Sequence, residues 1–194
     1  MTVLKARTES WPIRGTFTIS RGSKTTADVV VVELSRGGRT GRGEAVPYAR
    51  YGESMESVVG QIEGLHGPLA EGLDRAGLQA VLPAGAARNA VDLAFWDLES
   101  KLSGKRHWEL AGLPAPRPVI TAFTLSLDSA EAMGRKAAEN SKRPLLKLKL
   151  AGPDDLDRVA AVRTNAPAAR IVVDANEGWT VEQYSALAPK LKEL

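Results

Sequence analysis

The sequence predicts an α+β domain over residues 1–113, followed over residues 119–194 by the first three units of a (β/α) barrel that this chain does not complete. Three observations predict it. The β-branched run Ala27 to Leu34 is followed by the turn Arg36-Gly37-Gly38-Arg39 and a return strand, the local signature of an antiparallel pair. The segment Pro114-Ala115-Pro116-Arg117-Pro118 can join neither a helix nor a central strand, so it reads as a linker. Beyond it, strand and helix patterns alternate about every 26 residues, as parallel βα units do.

Each element has its own reason. Val3 to Trp11, Ala27 to Leu34 and Thr40 to Val46 form a small antiparallel meander. Glu53-Ser54 caps a helix from Met55 towards Leu65, and Pro68 to Leu73 forms a second segment. The strongest helix starts near Ala84 and runs to Leu102. Its residues Ala87, Ala90, Val91, Ala94, Phe95 and Leu98 follow the 3–4 spacing of one face, and Gly104 supplies the stop. After the linker, Val119 to Leu127, Leu145 to Leu150 and Arg170 to Asp174 are strands. Ser129 to Asn140, Pro153 to Asn165 and Thr180 to Leu194 are the helices between and after them. A closed barrel takes roughly 250 residues, and 77 follow Arg117 here. The expectation is therefore either a fragment or a three-unit remnant that needs a partner surface.

Composition excludes several kinds of protein. The 26 Lys plus Arg and 23 Asp plus Glu leave a net charge of +3, and the basic residues are scattered rather than gathered into a phosphate-tracking tract. Nucleic acid is not an expected partner. With no cysteine, disulfides, thiolate metal sites and cysteine nucleophiles are excluded. No signal-like apolar run opens the chain and no window reaches bilayer-spanning length, so the expectation is a cytoplasmic protein without a membrane partner.

The chemistry-bearing pattern is Leu145-Leu146-Lys147-Leu148-Lys149-Leu150. Residues two apart on a strand share a face, so Lys147 and Lys149 point one way and the leucines the other. On an exposed antiparallel edge this would be a solvated face. A parallel strand is normally covered on both sides, so here the lysines sit inside a barrel or are functional. One βα unit later, Ile171-Val172-Val173 ends in Asp174, at the carboxyl end of a strand, where α/β proteins bind ligands. Asp174 alone also fits a helix cap. The one-unit spacing from Lys149 places both side chains at the same end of adjacent strands, a proton-accepting lysine beside a carboxylate able to hold a hard cation.

These residues carry a resemblance. The Lys-X-Lys strand followed by Val173-Asp174-Ala175-Asn176 is similar to the enolase superfamily, in its muconate lactonising enzyme-like subgroup. Ser20-Arg21-Gly22-Ser23, Pro47 to Ser54, Leu82 to Ala90, Trp96-Asp97-Leu98 and Ile120 to Thr124 extend it along nearly the whole chain. They bring it closest to the dipeptide epimerases of the L-Ala-D/L-Glu type.

The resemblance implies an α+β capping domain and an enolase-like TIM barrel. It also implies Mg²⁺-dependent epimerisation of a small dipeptide by 1,1-proton transfer through an enediolate, serving murein peptide recycling. Lys149 would be the acid/base on one face of the substrate α-carbon, and Lys147 would contact the substrate carboxylate and tune its neighbour. Asp174 would be the first of three Mg²⁺ ligands. Thr124 would hold substrate, and Arg21, in a mobile loop of the capping domain, would meet the distal carboxylate of a Glu side chain. The physics agrees: removing an α-proton beside a carboxylate puts two charges on the enediolate, which a divalent cation offsets. The remaining carboxylate ligands, the opposite-face lysine and the acids for the substrate ammonium belong to later strands of the family, so residues 1–194 alone are expected to be inactive.

Without the resemblance, Thr124 is an ordinary strand threonine and Arg21-Gly22-Ser23 a turn. Gly41-Arg42-Gly43-Glu44 lacks the strand-to-helix context of a nucleotide loop and reads as a strand end and turn. His66 and His107 are isolated surface or helix-end residues, and Phe95 and Trp96 are packing residues. Three other readings compete: a different enzyme of the same superfamily (an epimerase of other dipeptides, an N-acylamino acid racemase or an o-succinylbenzoate synthase), a Schiff-base lyase using Lys149, and a non-enzymatic truncated module. A homo-oligomer is left open.

Overall fold

The computed structural model describes residues 1–194. They divide into two compact units, one of residues 1–12 and 26–117, the other of residues 13–25 and 118–194.

β1 (Val3–Ile19), β2 (Gly22–Arg36) and β3 (Arg39–Ala45) form a sheet with β2 in the middle, and all of it but residues 13–25 lies in the first unit. β2 and β3 are antiparallel, with Val30 opposite Ala45 and Arg36 opposite Arg39. β1 runs well past the expected Trp11, through Pro12. Proline lacks the ladder N–H and suggests a strand end, but it is tolerated on an edge strand, and β1 is an edge.

Five helices follow: α1 (Met55–Glu63), α2 (His66–Ala70), α3 (Arg75–Val81), α4 (Ala86–Ser103) and α5 (His107–Leu110). Ser54 caps α1 through a reciprocal pair of hydrogen bonds with Ser57. The Glu53 carboxylate accepts from Tyr48 N at 3.0 Å and from Ala86 N at 2.6 Å, placing an anion at the positive end of α4. α4 buries the expected face from Ala87 to Leu98 and ends at Gly104 in the left-handed region. That face meets Val30, Val32 and Leu34 of β2 and Val58, Ile62 and Leu78 of the other helices in one apolar cluster. The short helices α3 and α5 are not apparent from the pattern. One turn or two leaves too few repeats to establish a 3.6 period.

The return strand expected over Thr40 to Val46 forms as β3, and Gly41-Arg42-Gly43 lies inside it and not at a strand end and turn. The strand runs directly against α4. A Cβ on Gly43 would stand 1.9 Å from Ala90 O, and one on Gly41 would stand 2.2 Å from Ala94 O. Arg42 N donates to Asp97 of α4 at 2.7 Å. These glycines are contact points between strand and helix. His66 and His107 open α2 and α5; His66 pairs with Glu63 at 2.7 Å, and neither histidine belongs to a group of three or more His, Asp or Glu that could hold a metal ion. Phe95 is buried, and Trp96 carries the Arg75 guanidinium over its ring at 3.7 Å.

The second unit holds β4 (Phe123–Leu125), β5 (Leu145–Lys149) and β6 (Arg170–Asp174), parallel and in that order. They alternate with α6 (Ala130–Glu139), α7 (Asp155–Asn165) and α8 (Val181–Leu191). This is the expected run of three βα units. β4 is shorter than the expected Val119–Leu127 because it pairs only β5, over three residues. Leu146, Leu148 and Leu150 are fully buried with Met133, Val159 and Val162 of the helices. The period-2 reading of β5 therefore holds: leucines face the helices and lysines the opposite side.

The tip of the β1–β2 hairpin, residues 13–25, groups by its contacts with this second unit. Leu127 N donates to Thr18 O at 3.1 Å and Ser126 Oγ to Thr16 O at 3.4 Å. These are isolated bonds. The two sheets stay separate. No helix is long and apolar enough to cross a membrane.

Candidate active site

Parallel pairing sets the geometry. Lys149 and Asp174 are register partners on β5 and β6, and Thr124 of β4 is the partner of Lys147. The short strand spacing and the shared face bring both lysines to one carboxylate. Lys149 Nζ lies 2.7 Å and Lys147 Nζ 2.8 Å from Asp174 Oδ2. The other oxygen, Oδ1, accepts from Asn176 N at 2.9 Å. Lys149 is the more enclosed lysine, its side chain 9% exposed against 36% for Lys147. Its ammonium also stands 6.0 Å from the centre of the Phe17 ring.

This setting holds the Asp174 carboxyl well below the usual carboxylate range. The Lys147 contact contributes most, then the Lys149 hydrogen bond, with the Asn176 N–H adding to them and burial opposing. A lowered folded-state pKa means that folding favours the ionised form. The stabilisation is complete above the unfolded value of roughly 4 and is lost as pH falls through the lower folded value. The difference in urea midpoint between wild type and Asp174→Asn should therefore hold steady near neutrality and shrink progressively below about pH 4. A difference that stays constant down to about pH 2 would refute the pairing.

The loop after β6 is built from an unusual backbone. Asn176 and Glu177 have φ of 48° and 64°, a region most side chains avoid and Asn tolerates best. Gly178 follows where a Cβ would meet Ala175 O at 2.9 Å and Ser20 Cβ at 3.0 Å. The Asn176 carbonyl accepts from Ser20 Oγ at 3.0 Å and from Arg21 Nη1 at 2.6 Å, and Arg21 lies 3.8 Å from Glu177. Arg21 thus sits on the loop that follows Asp174. By its contacts the hairpin tip that carries Arg21 groups with the second unit. Asn176, whose Oδ1 is buried without a partner, and Ser20 were not singled out individually. The sequence signal for Asn176 was its place in Asp174-Ala175-Asn176-Glu177, since Asn is favoured where φ turns positive.

Residues 1–112 match the N-terminal domain of mandelate racemase / muconate lactonizing enzyme. The chain belongs to that family. A curated relative, the L-Ala-D/L-Glu epimerase of Escherichia coli (strain K12), is 42% identical over 196 residues, covering 100% of this chain and 61% of the relative. Among solved family structures, an enolase family member from Agrobacterium tumefaciens with homology to dipeptide epimerases holds bound sodium and L-Ala-L-Glu. It superposes with a TM-score of 0.92 at 52% identity, covering 99% of this chain and 60% of that one. The dipeptide epimerase from Enterococcus faecalis V583, complexed with Mg and L-Leu-L-Tyr, gives 0.83 at 30% identity over 96% of this chain and 57% of its own. The chain spans about three fifths of the length of these family members. The fold is accordingly a capping domain of this family followed by the first part of an enolase-superfamily barrel.

Proposed function

We propose that this chain forms the capping domain and the first three barrel units of a Mg²⁺-dependent dipeptide epimerase acting on L-Ala-L/D-Glu-like substrates. The observation that carries the reading is the convergence of Lys147 and Lys149 on one oxygen of Asp174 at the carboxyl ends of adjacent parallel strands. The similarity to epimerases that bind Mg or dipeptides supports it.

Lys149, enclosed and at the strand end, takes the α-proton from one face of the substrate and returns one in the reverse direction. Lys147, more open, meets the substrate carboxylate. Thr124, beside Lys147 in register, holds substrate, and Arg21 receives the distal carboxylate of a Glu side chain. Asp174, held ionised by its neighbours, fits as one hard-oxygen ligand for Mg²⁺. When bound, the metal supplies positive charge that offsets the enediolate. These residues supply one ligand of the set, and no cluster of three or more His, Asp or Glu side chains stands in the chain to complete it.

Calorimetry therefore distinguishes the part from the whole. Residues 1–194 should show no sub-millimolar Mg²⁺ binding, because one carboxylate cannot replace most of the hydration shell. A full-length version should bind Mg²⁺ and interconvert L-Ala-L-Glu and L-Ala-D-Glu in a reaction abolished by chelator. Borohydride trapping of substrate on Lys149, with activity unaffected by chelator, would instead establish the Schiff-base lyase.

A further inference from the structure

Asp155 is the first residue of α7 and its side chain is completely buried. A carboxylate taken wholly out of water is costly unless every lone pair is used. Here four donors use them. Ala151 N is 3.0 Å and Gly152 N 2.8 Å from Oδ2, Trp179 Nε1 is 2.7 Å from the same oxygen, and Arg158 Nη1 is 2.9 Å from Oδ1. Arg158 in turn donates from Nε to Asp128 O at 2.8 Å.

An ordinary helix-capping Asp bonds its own first turn and stays in water. This one reaches three separate connections: Asp128 after β4 through Arg158, Ala151 and Gly152 after β5, and Trp179 after β6. Those segments follow Thr124, Lys149 and Asp174. The Trp179 bond also pins the far end of the positive-φ loop whose Asn176 N–H supports Asp174.

We propose that Asp155, with Arg158 and Trp179, is a positioning cluster that fixes Lys149 relative to Asp174 and so sets proton transfer on the Lys149 face. Asp155 touches neither group. It acts through the backbone of Ala151, two residues beyond Lys149, and through the loop carrying Asn176. Displacements near 1 Å at a reacting group can cost about 100-fold in rate, and a loosened loop permits shifts of that order.

The inference rests on the epimerase reading above, and its test keeps the two apart. In the full-length protein, Trp179→Phe removes one donor while keeping an aromatic ring, and Asp155→Asn keeps the shape while removing the charge. Deuterium uptake from D₂O into each epimer reads the two faces separately. Each folded variant should lose exchange on the Lys149 face at least about tenfold more than on the opposite face. A smaller difference, including equal loss on both faces, overturns the proposal, since a purely structural residue would affect both. Trp179→Phe decides alone if Asp155→Asn does not fold. If wild type itself exchanges neither epimer, the epimerase reading has failed instead.

Discussion

Replacing Lys149 by Ala in the full-length protein should abolish epimerisation, a fall of at least about 10³-fold in rate, and remove α-hydrogen exchange from one face of the substrate only. Both lysines reach the same carboxylate oxygen, so distance to Asp174 does not distinguish them. Register and enclosure do. Lys149 is the partner of Asp174 itself, whereas Lys147 is the partner of Val172 and lies two residues, roughly 6–7 Å, nearer the strand start. Lys149 is also far less exposed to water. A group that carries the proton cannot be replaced by its neighbour on the same face. A group that supplies charge can be lost with a slower but intact reaction. Lys147→Ala should accordingly slow turnover and weaken binding while exchange on both faces persists. NMR of each epimer in D₂O reads this directly. If Lys147→Ala lost one face and Lys149→Ala kept both, the roles would be the reverse.

Gly43→Ala should destabilise the first unit by at least about 3 kcal/mol, enough to lower its melting temperature by roughly 15 °C or leave it insoluble. The added Cβ would lie 1.9 Å from Ala90 O and 2.6 Å from Ala94 N. Those are main-chain atoms of α4, so no side-chain rotamer can relieve the clash. The helix must move away from the sheet, and it carries Phe95 and Leu98 of the buried cluster. Gly60→Ala is the control, because Gly60 lies within α1 with nothing within 4 Å of its Cβ position. That change should be neutral or stabilising by up to about 1 kcal/mol, since alanine is the better helix former. Thermal unfolding by circular dichroism compares the two. Equal melting temperatures for Gly43→Ala and wild type would contradict the packing described for β3 and α4.

What the sequence by itself determined was everything with a short repeat. The alternation in Leu145–Leu150 defines which face of β5 carries the lysines, because a strand has period two whatever surrounds it. The one-unit spacing from Lys149 to Asp174 put them at one strand end, and the pairing register agrees. The 3–4 spacing from Ala87 to Leu98 defined the buried face of α4 before its partners were known. Tertiary structure decided the rest. Gly41-Arg42-Gly43 reads locally as the end of a strand, and only the approach of α4, some fifty residues later, makes its missing side chains necessary. Asp155 looks like one more acid at a helix start until Trp179 and Arg158 close over it. Arg21 sits in a hairpin turn that gives no local sign of a partner, and its bond to Asn176 O spans 155 residues. Periodicity is a property of a single element and can be read along the chain. A hydrogen bond between distant segments depends on the path of everything between them, and only the folded molecule brings its two ends together.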